Sequence, residues 1–212
     1  MWREWVKKSK VLLIPALSVM LLLQGCAVMN EIAGTFASLK RLQFRLGAIS
    51  DFTLAGIRVS RISSLESFTV ADGLRLLAAF RNRSLPARFL LQVEARNPND
   101  GTGGSPRTVS TLTRFDWRLL IDDRPTISGG IDAPLEIPGT GDVSFIPLGI
   151  ELDLYEFFGH KGYEDILRLA LALGGQDNDI TRVALDAQPG VSTPFGEITY
   201  PDRIIIISRE FR

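Results

Sequence analysis

The chain has 212 residues, 45% of them hydrophobic and 23% charged, enough apolar material for one packed domain rather than a disordered chain. Its 24 basic and 24 acidic residues cancel, but Arg3, Lys7, Lys8 and Lys10 against Glu4 fall within residues 1–25, leaving 20 basic and 23 acidic groups beyond, a net of −3. A mildly acidic body gives no footprint for nucleic acid, while a single cysteine and a single histidine exclude an internal disulfide and most thiolate or imidazole metal sites, so no cofactor is expected.

Met1–Lys10 carries the positive charge, and Val11–Leu23 follows without any charged residue. As a helix that run rises about 20 Å, short of the roughly 30 Å hydrocarbon core, and Pro15 weakens it further. A basic segment before a short apolar one is the pattern of a secretory signal, placed here over residues 1–25. Its end, Leu23-Gln24-Gly25-Cys26, resembles a lipobox, with Gln24 departing from the usual small residue. The resemblance implies cleavage before Cys26, diacylglycerol on its thiol and, in a diderm cell, a third acyl chain such as palmitate on the new amino terminus. One acyl chain binds a bilayer marginally, and two or more hold it firmly. An uncleaved anchor and an ordinary signal with a chance cysteine are the alternatives. Ala27, in place of Asp, favours the outer membrane facing the periplasm over the inner membrane in a diderm cell.

Residues 26–40 read as a lipidated terminus and spacer, in which Val28, Ile32, Phe36 and Leu39 share a helical face. Residues 41–212 read as one strand-rich domain. Arg41–Ile49 alternates, with Leu42, Phe44, Leu46 and Ala48 on one side, and Phe52–Ile62 reads as a second strand with a bulge near Gly56. Ser67–Arg81 breaks that pattern. Val70, Leu74, Leu77 and Ala78 recur at helical spacing, with Leu76 and Phe80 widening the stripe and Thr69 or Ser67 as cap, so a core helix is expected there. Ala87–Arg96 alternates cleanly until Asn97-Pro98-Asn99, where a proline that cannot donate must end the strand. Further strands are expected over 109–121, 126–131, 133–138 and 143–154, then a helix over 163–173 ended by Gly174-Gly175. Closing strands follow over 180–187, 196–199 and 203–208, the isoleucine run 204–207 reading as a central strand buried on both faces. Short strands parted by Gly, Pro and Asp turns suggest a β-sandwich.

Three segments carry a family resemblance. Phe89–Asn99 (FLLQVEARNPN), residues 127–148 (ISGGIDAPLEIPGTGDVSFIPL) and Ser192–Pro201 (STPFGEITYP) resemble the strand edges of the late-embryogenesis-abundant type 2 family, the LEA14-like or WHy domains. The resemblance spans Leu42 to the last residue. It implies a mainly β, fibronectin-III- or immunoglobulin-like sandwich of about seven strands with one or two accessory helices, one of them near residues 155–174. It implies no catalytic residues, and a role in desiccation or stress protection or in binding membranes or other macromolecules. Asn97, Pro98, Asn99, Thr193, Pro194, Phe195 and Gly196 are expected to be structural.

The remaining candidates have bland readings. His160 has no partner for metal binding and reads as a loop histidine. Asp177-Asn178-Asp179 lacks the distal Glu of an EF-hand loop and reads as a solvated turn. Glu151, Asp153 and Glu156 could pair as glycosidase carboxylates, but no cleft or aromatic platform is legible. No enzyme is expected. The favoured reading is a non-catalytic lipoprotein held on a membrane through Cys26, a stress-protection or envelope-binding module with an envelope protein or a lipid as partner. The alternative is a carrier of lipids or small apolar ligands, with the cavity between helices 70–81 and 163–173.

Overall fold

In a computed structural model of the chain, the structure describes residues 34, 39–59, 62, 64–102, 107–174, 182–193, 196–208 and 211. They form a β-sandwich of two antiparallel sheets with accessory helices. The first sheet has the order β2(Ile57–Arg58), β1(Gln43–Leu54), β3(Pro86–Arg96), β7(Val143–Asp153). The second has the order β10(Ile204–Ile206), β8(Val183–Thr193), β4(Ser110–Ile121), β5(Arg124–Gly129), with β6(Leu135–Ile137) on β4 and β9(Gly196–Thr199) on β8. The helices are α1(Val70–Arg81), α2(Leu154–Phe158) and α3(Tyr163–Gly174).

Period-two alternation builds the core. Ala87, Phe89, Leu91, Val93 and Ala95 of β3 point inward, as do Ile146, Leu148, Ile150 and Leu152 of β7. Leu112, Phe115, Trp117, Leu119 and Ile121 of β4 are likewise buried. Phe44 and Phe115 meet between the sheets with centroids 5.6 Å apart, and Phe52 stacks on Phe89 at 5.3 Å. The Trp117 indole N–H donates to the Gly130 carbonyl at 3.3 Å, and Trp117 lies so close to Gly129 that a Cβ there would stand 2.5 Å from its ring.

Four expectations are corrected. The strand foreseen at 41–49 runs on to Leu54 as β1, so the one foreseen at 52–62 is divided between the end of β1 and the short β2, and the pairing of β1 with β3 slips between Leu46 and Ile49 and again between Ser50 and Thr53. Those bulges keep Phe44, Leu46, Ile49, Phe52 and Leu54 inside while Ala48 turns out. Gly56 lies in a tight turn with Ala55, both at positive φ (78° and 47°), rather than at a bulge. The isoleucine run is an edge strand, with Ile206 buried and Ile205 42% exposed. The helix implied near 155–174 is broken in two: Asp153 caps α2, accepting from the Tyr155 N–H at 2.9 Å, and Tyr163 begins α3.

The sandwich has two dissimilar poles. The polypeptide comes in at one of them, where Arg41 donates to Asn99 Oδ1 at 3.4 Å and Gln43 pairs with Arg96. Helices α1, α2 and α3 gather at the other, beyond the Pro86 end of β3 and the Ile121 end of β4. Strand β7 forms the outer edge of its sheet and carries Pro147 opposite Gln92. A proline suits a position where its nitrogen faces a free edge.

Candidate functional site

At the first pole, β3 ends on Asn97, Pro98 and Asn99, and both asparagines are fully buried. The Asn97 Nδ2 donates to the carbonyls of Thr108 at 2.8 Å and Ile137 at 3.0 Å, joining the exit of β3 to the approach of β4 and to β6. Its Oδ1 accepts from the Asn99 backbone N–H at 3.1 Å and from Asn99 Nδ2 at 2.8 Å. Every polar atom of that side chain is satisfied, as burial requires. Gly139 closes the corner, since a Cβ there would collide with the carbonyls of Asn99 and Thr108. This pole is a clasp between sheets. Thr193 lies opposite Gly196 in the β8–β9 pairing and donates to its carbonyl at 2.7 Å. Pro194 and Phe195 lie outside the described residues, as do Cys26, the signal at 1–25 and Asp177-Asn178-Asp179.

The second pole is where the sequence reading needs most revision. Helix α1 starts as expected, with Thr69 Oγ1 accepting from the Asp72 N–H at 3.1 Å. Its core face is displaced, however. Only Leu76 is buried, while Val70 is 83% and Leu74 is 64% exposed. The stripe of Val70, Leu74 and Ala78 read as core-facing looks outward. Phe80 does the docking instead, edge-on to Tyr155 of α2 at 5.3 Å and to Tyr163 of α3 at 5.4 Å. The Tyr163 hydroxyl donates to the Gly73 carbonyl at 3.4 Å, and burial raises the pKa of that phenol.

Between α1, α3 and the 3-10 turn Leu65–Ser67 lies an open cleft of about 380 Å³. Leu65, Phe68, Leu76 and Leu167 give it an apolar floor, and Tyr163 forms one wall. Glu66, Glu164 and Arg168 stand exposed at its rim, with Arg168 Nη2 3.8 Å from Glu164 Oε2. The helical spacing predicts an apolar cavity between these helices, but the 3-10 turn that completes it leaves no mark, because Ser64–Ser67 carries no period. Two hollows of about 410 and 430 Å³ lie on the outward sheet faces beside Arg118 and Arg88, open furrows lined largely by exposed residues.

The titratable candidates are mostly committed to structure. Asp153 accepts from Ser84 Oγ and the Leu85 N–H, both at 2.7 Å, while Glu151 pairs with exposed Arg88 at 2.7 Å. His160 is exposed in the turn after α2. Asp122 is held between Arg182 at 2.6 Å and Lys161 at 3.3 Å, and the Arg182 hydrogen bonds lower its carboxyl pKa against the cost of burial. For Asp186, burial opposes ionisation, but the hydrogen bonds from Arg118 and Arg203 outweigh it and lower the pKa. Among the described residues no group of three His, Cys, Asp or Glu gathers to hold a metal ion, and no helix is long and apolar enough to cross a membrane.

No family model and no curated protein sequence matches the chain. A crystal structure of a protein from Archaeoglobus fulgidus is similar over 79% of this chain and 94% of its own, at 7% identity and a TM-score of 0.32. A likeness at that level carries no argument.

Proposed function

We propose that the chain is a non-catalytic lipoprotein of the cell envelope, tethered through acylated Cys26, with a LEA type 2-like body that acts as a binding or stress-protection module. Leu23-Gln24-Gly25-Cys26 after a short apolar run supports the tether. The segments around Asn97-Pro98-Asn99 and Thr193-Pro194-Phe195-Gly196 support the family reading. The observation that carries the binding role is the helical pole, where an apolar-floored cleft adjoins a helix whose outer face has no partner among the described residues. In a diderm cell, Ala27 in place of Asp favours an outer-membrane, periplasm-facing position over the inner membrane.

The test is metabolic labelling with a clickable fatty acid. Label on the wild-type chain, none on Cys26→Ser, and release of the Cys26→Ser chain from the membrane fraction are expected. An unlabelled wild-type chain rejects the tether. For the protective role, a deletion strain should survive drying less well than its parent; equal survival and an intact envelope reject it.

One observation favours a second reading, a carrier of a lipid or small apolar ligand. The cleft volume lies within the range of ligand sites, and its floor is apolar with a few polar groups at the rim. Native mass spectrometry of gently extracted protein should then show a bound species that Leu76→Trp expels. Ligand-free protein from every membrane extract rejects this reading.

A further inference from the structure

Helix α1 has an outward face of unusual composition. Its exposed residues are Val70, Ala71, Leu74, Arg75, Ala78 and Arg81, which lie within one side of a helix at 100° per residue. Four are apolar, two are arginines, and none is acidic. The only acid of the helix, Asp72, is turned to the capping hydroxyl of Thr69. The body beyond residue 25 has a net charge of −3, so this combination is local and does not reflect a basic surface. Apolar side chains flanked by arginines, whose stems lie along apolar surface while their heads reach polar groups, suit the boundary of an anionic bilayer. A second copy of the same face would bring Arg75 and Arg81 against like charges, which is repulsive.

We infer that this face of α1 docks on the anionic lipid surface of the membrane that holds the chain. The inference rests on the tether proposed above. Cys26 precedes Leu39 by 13 residues, a reach of at most about 45 Å when extended. Strand β3, which separates the clasp pole from the helical pole, has 11 residues and spans about 37 Å. The tether therefore allows the sandwich to lie along the bilayer with both poles near it. Tethering also raises the effective concentration of a face too small to bind vesicles strongly on its own. Docking by α1 would fix how the domain lies and which side of the cleft is open.

The experiment uses full-length acylated protein in vesicles of phosphatidylglycerol and phosphatidylethanolamine, and in vesicles of phosphatidylcholine alone. An environment-sensitive fluorophore is placed on Leu74→Cys, where acylation of Cys26 leaves one free thiol. In the anionic vesicles a bilayer-embedded quencher should act on the label and aqueous iodide should not, with the reverse in phosphatidylcholine. Each arginine near an anionic surface is worth about fivefold in partition, so Arg75→Gln with Arg81→Gln should weaken docking about thirtyfold. Free iodide access in anionic vesicles, with Cys26 acylated by peptide mass, overturns the docking and spares the tether. Shielding before vesicles are present overturns it too, by showing a protein partner or a second copy on the face. An unmodified Cys26 peptide rejects the tether instead. The label is then read on a Cys26→Ser chain in a large excess of anionic vesicles, which replaces the concentration a tether would supply; lipid quenching there keeps the docking and iodide access overturns it.

Discussion

Asn97 and Ile137 are 40 residues apart in the chain and joined by a single hydrogen bond, from the Asn97 side-chain amide to the Ile137 carbonyl at 3.0 Å. The same amide reaches the Thr108 carbonyl, so one buried side chain ties the exit of β3 to the start of the β4–β6 pairing at Ser110 and Ile137, beside the backbone bonds from Thr108 to the Asn99 carbonyl and from Gly141 to the Asn97 carbonyl, both 3.1 Å.

Asn97→Ala should therefore cost about 3 kcal/mol, because carbonyls buried without partners keep their full desolvation penalty. Urea unfolding measures it. A loss under 1 kcal/mol would show that the clasp is redundant.

On α1, two leucines two positions apart should behave oppositely. Leu76→Ala should lose about 2–5 kcal/mol, as expected for a fully buried side chain. Leu74→Ala should stay within about 0.5 kcal/mol. Thermal melts of the pair decide whether the helix faces inward as described, and equal losses would contradict it.

Gly129→Ala should destabilise by about 1–3 kcal/mol, since its Cβ meets the Trp117 ring and the packed core has little room to give. Trp117 is the sole tryptophan after residue 25. Its emission in a chain lacking residues 1–25 should shift on substitution, and an unchanged spectrum and midpoint would contradict the contact.

Acid should weaken the fold through Asp186 and Asp122, whose folded pKa values lie below their unfolded ones. Such groups contribute stability that is present above the unfolded value near pH 4 and lost as pH falls through the folded value. Asp186→Asn should lower stability at pH 7 and flatten its decline between about pH 5 and 2. Parallel curves for mutant and parent would rule out this linkage.

Strands β3, β4 and β7 are legible because one face of each is buried. Ala87–Arg96 alternates in the sequence as it does in the sandwich, and the Gly139–Asp142 turn falls where expected. The failures share a physical cause: the sequence marks apolar residues but not what faces them. Val70, Leu74 and Ala78 form as regular a stripe as any core helix, yet Phe80 finds the better partners in Tyr155 and Tyr163. Ile204–Ile207 looks central because nothing in an apolar run reveals that a sheet stops there. The bulges of β1 were missed because two slips of register cancel in the hydrophobic pattern. The cleft was half legible, from its two helices, and the turn at Leu65–Ser67 was not.

Pro147 sits midway along the outer strand of its sheet, and its consequence concerns neighbouring molecules. When water is withdrawn and proteins are pressed together, an unpaired strand of this length would recruit its like and seed a stack of chains. A nitrogen with no hydrogen breaks the row of donors such a neighbour needs, so this edge resists the addition of a second chain.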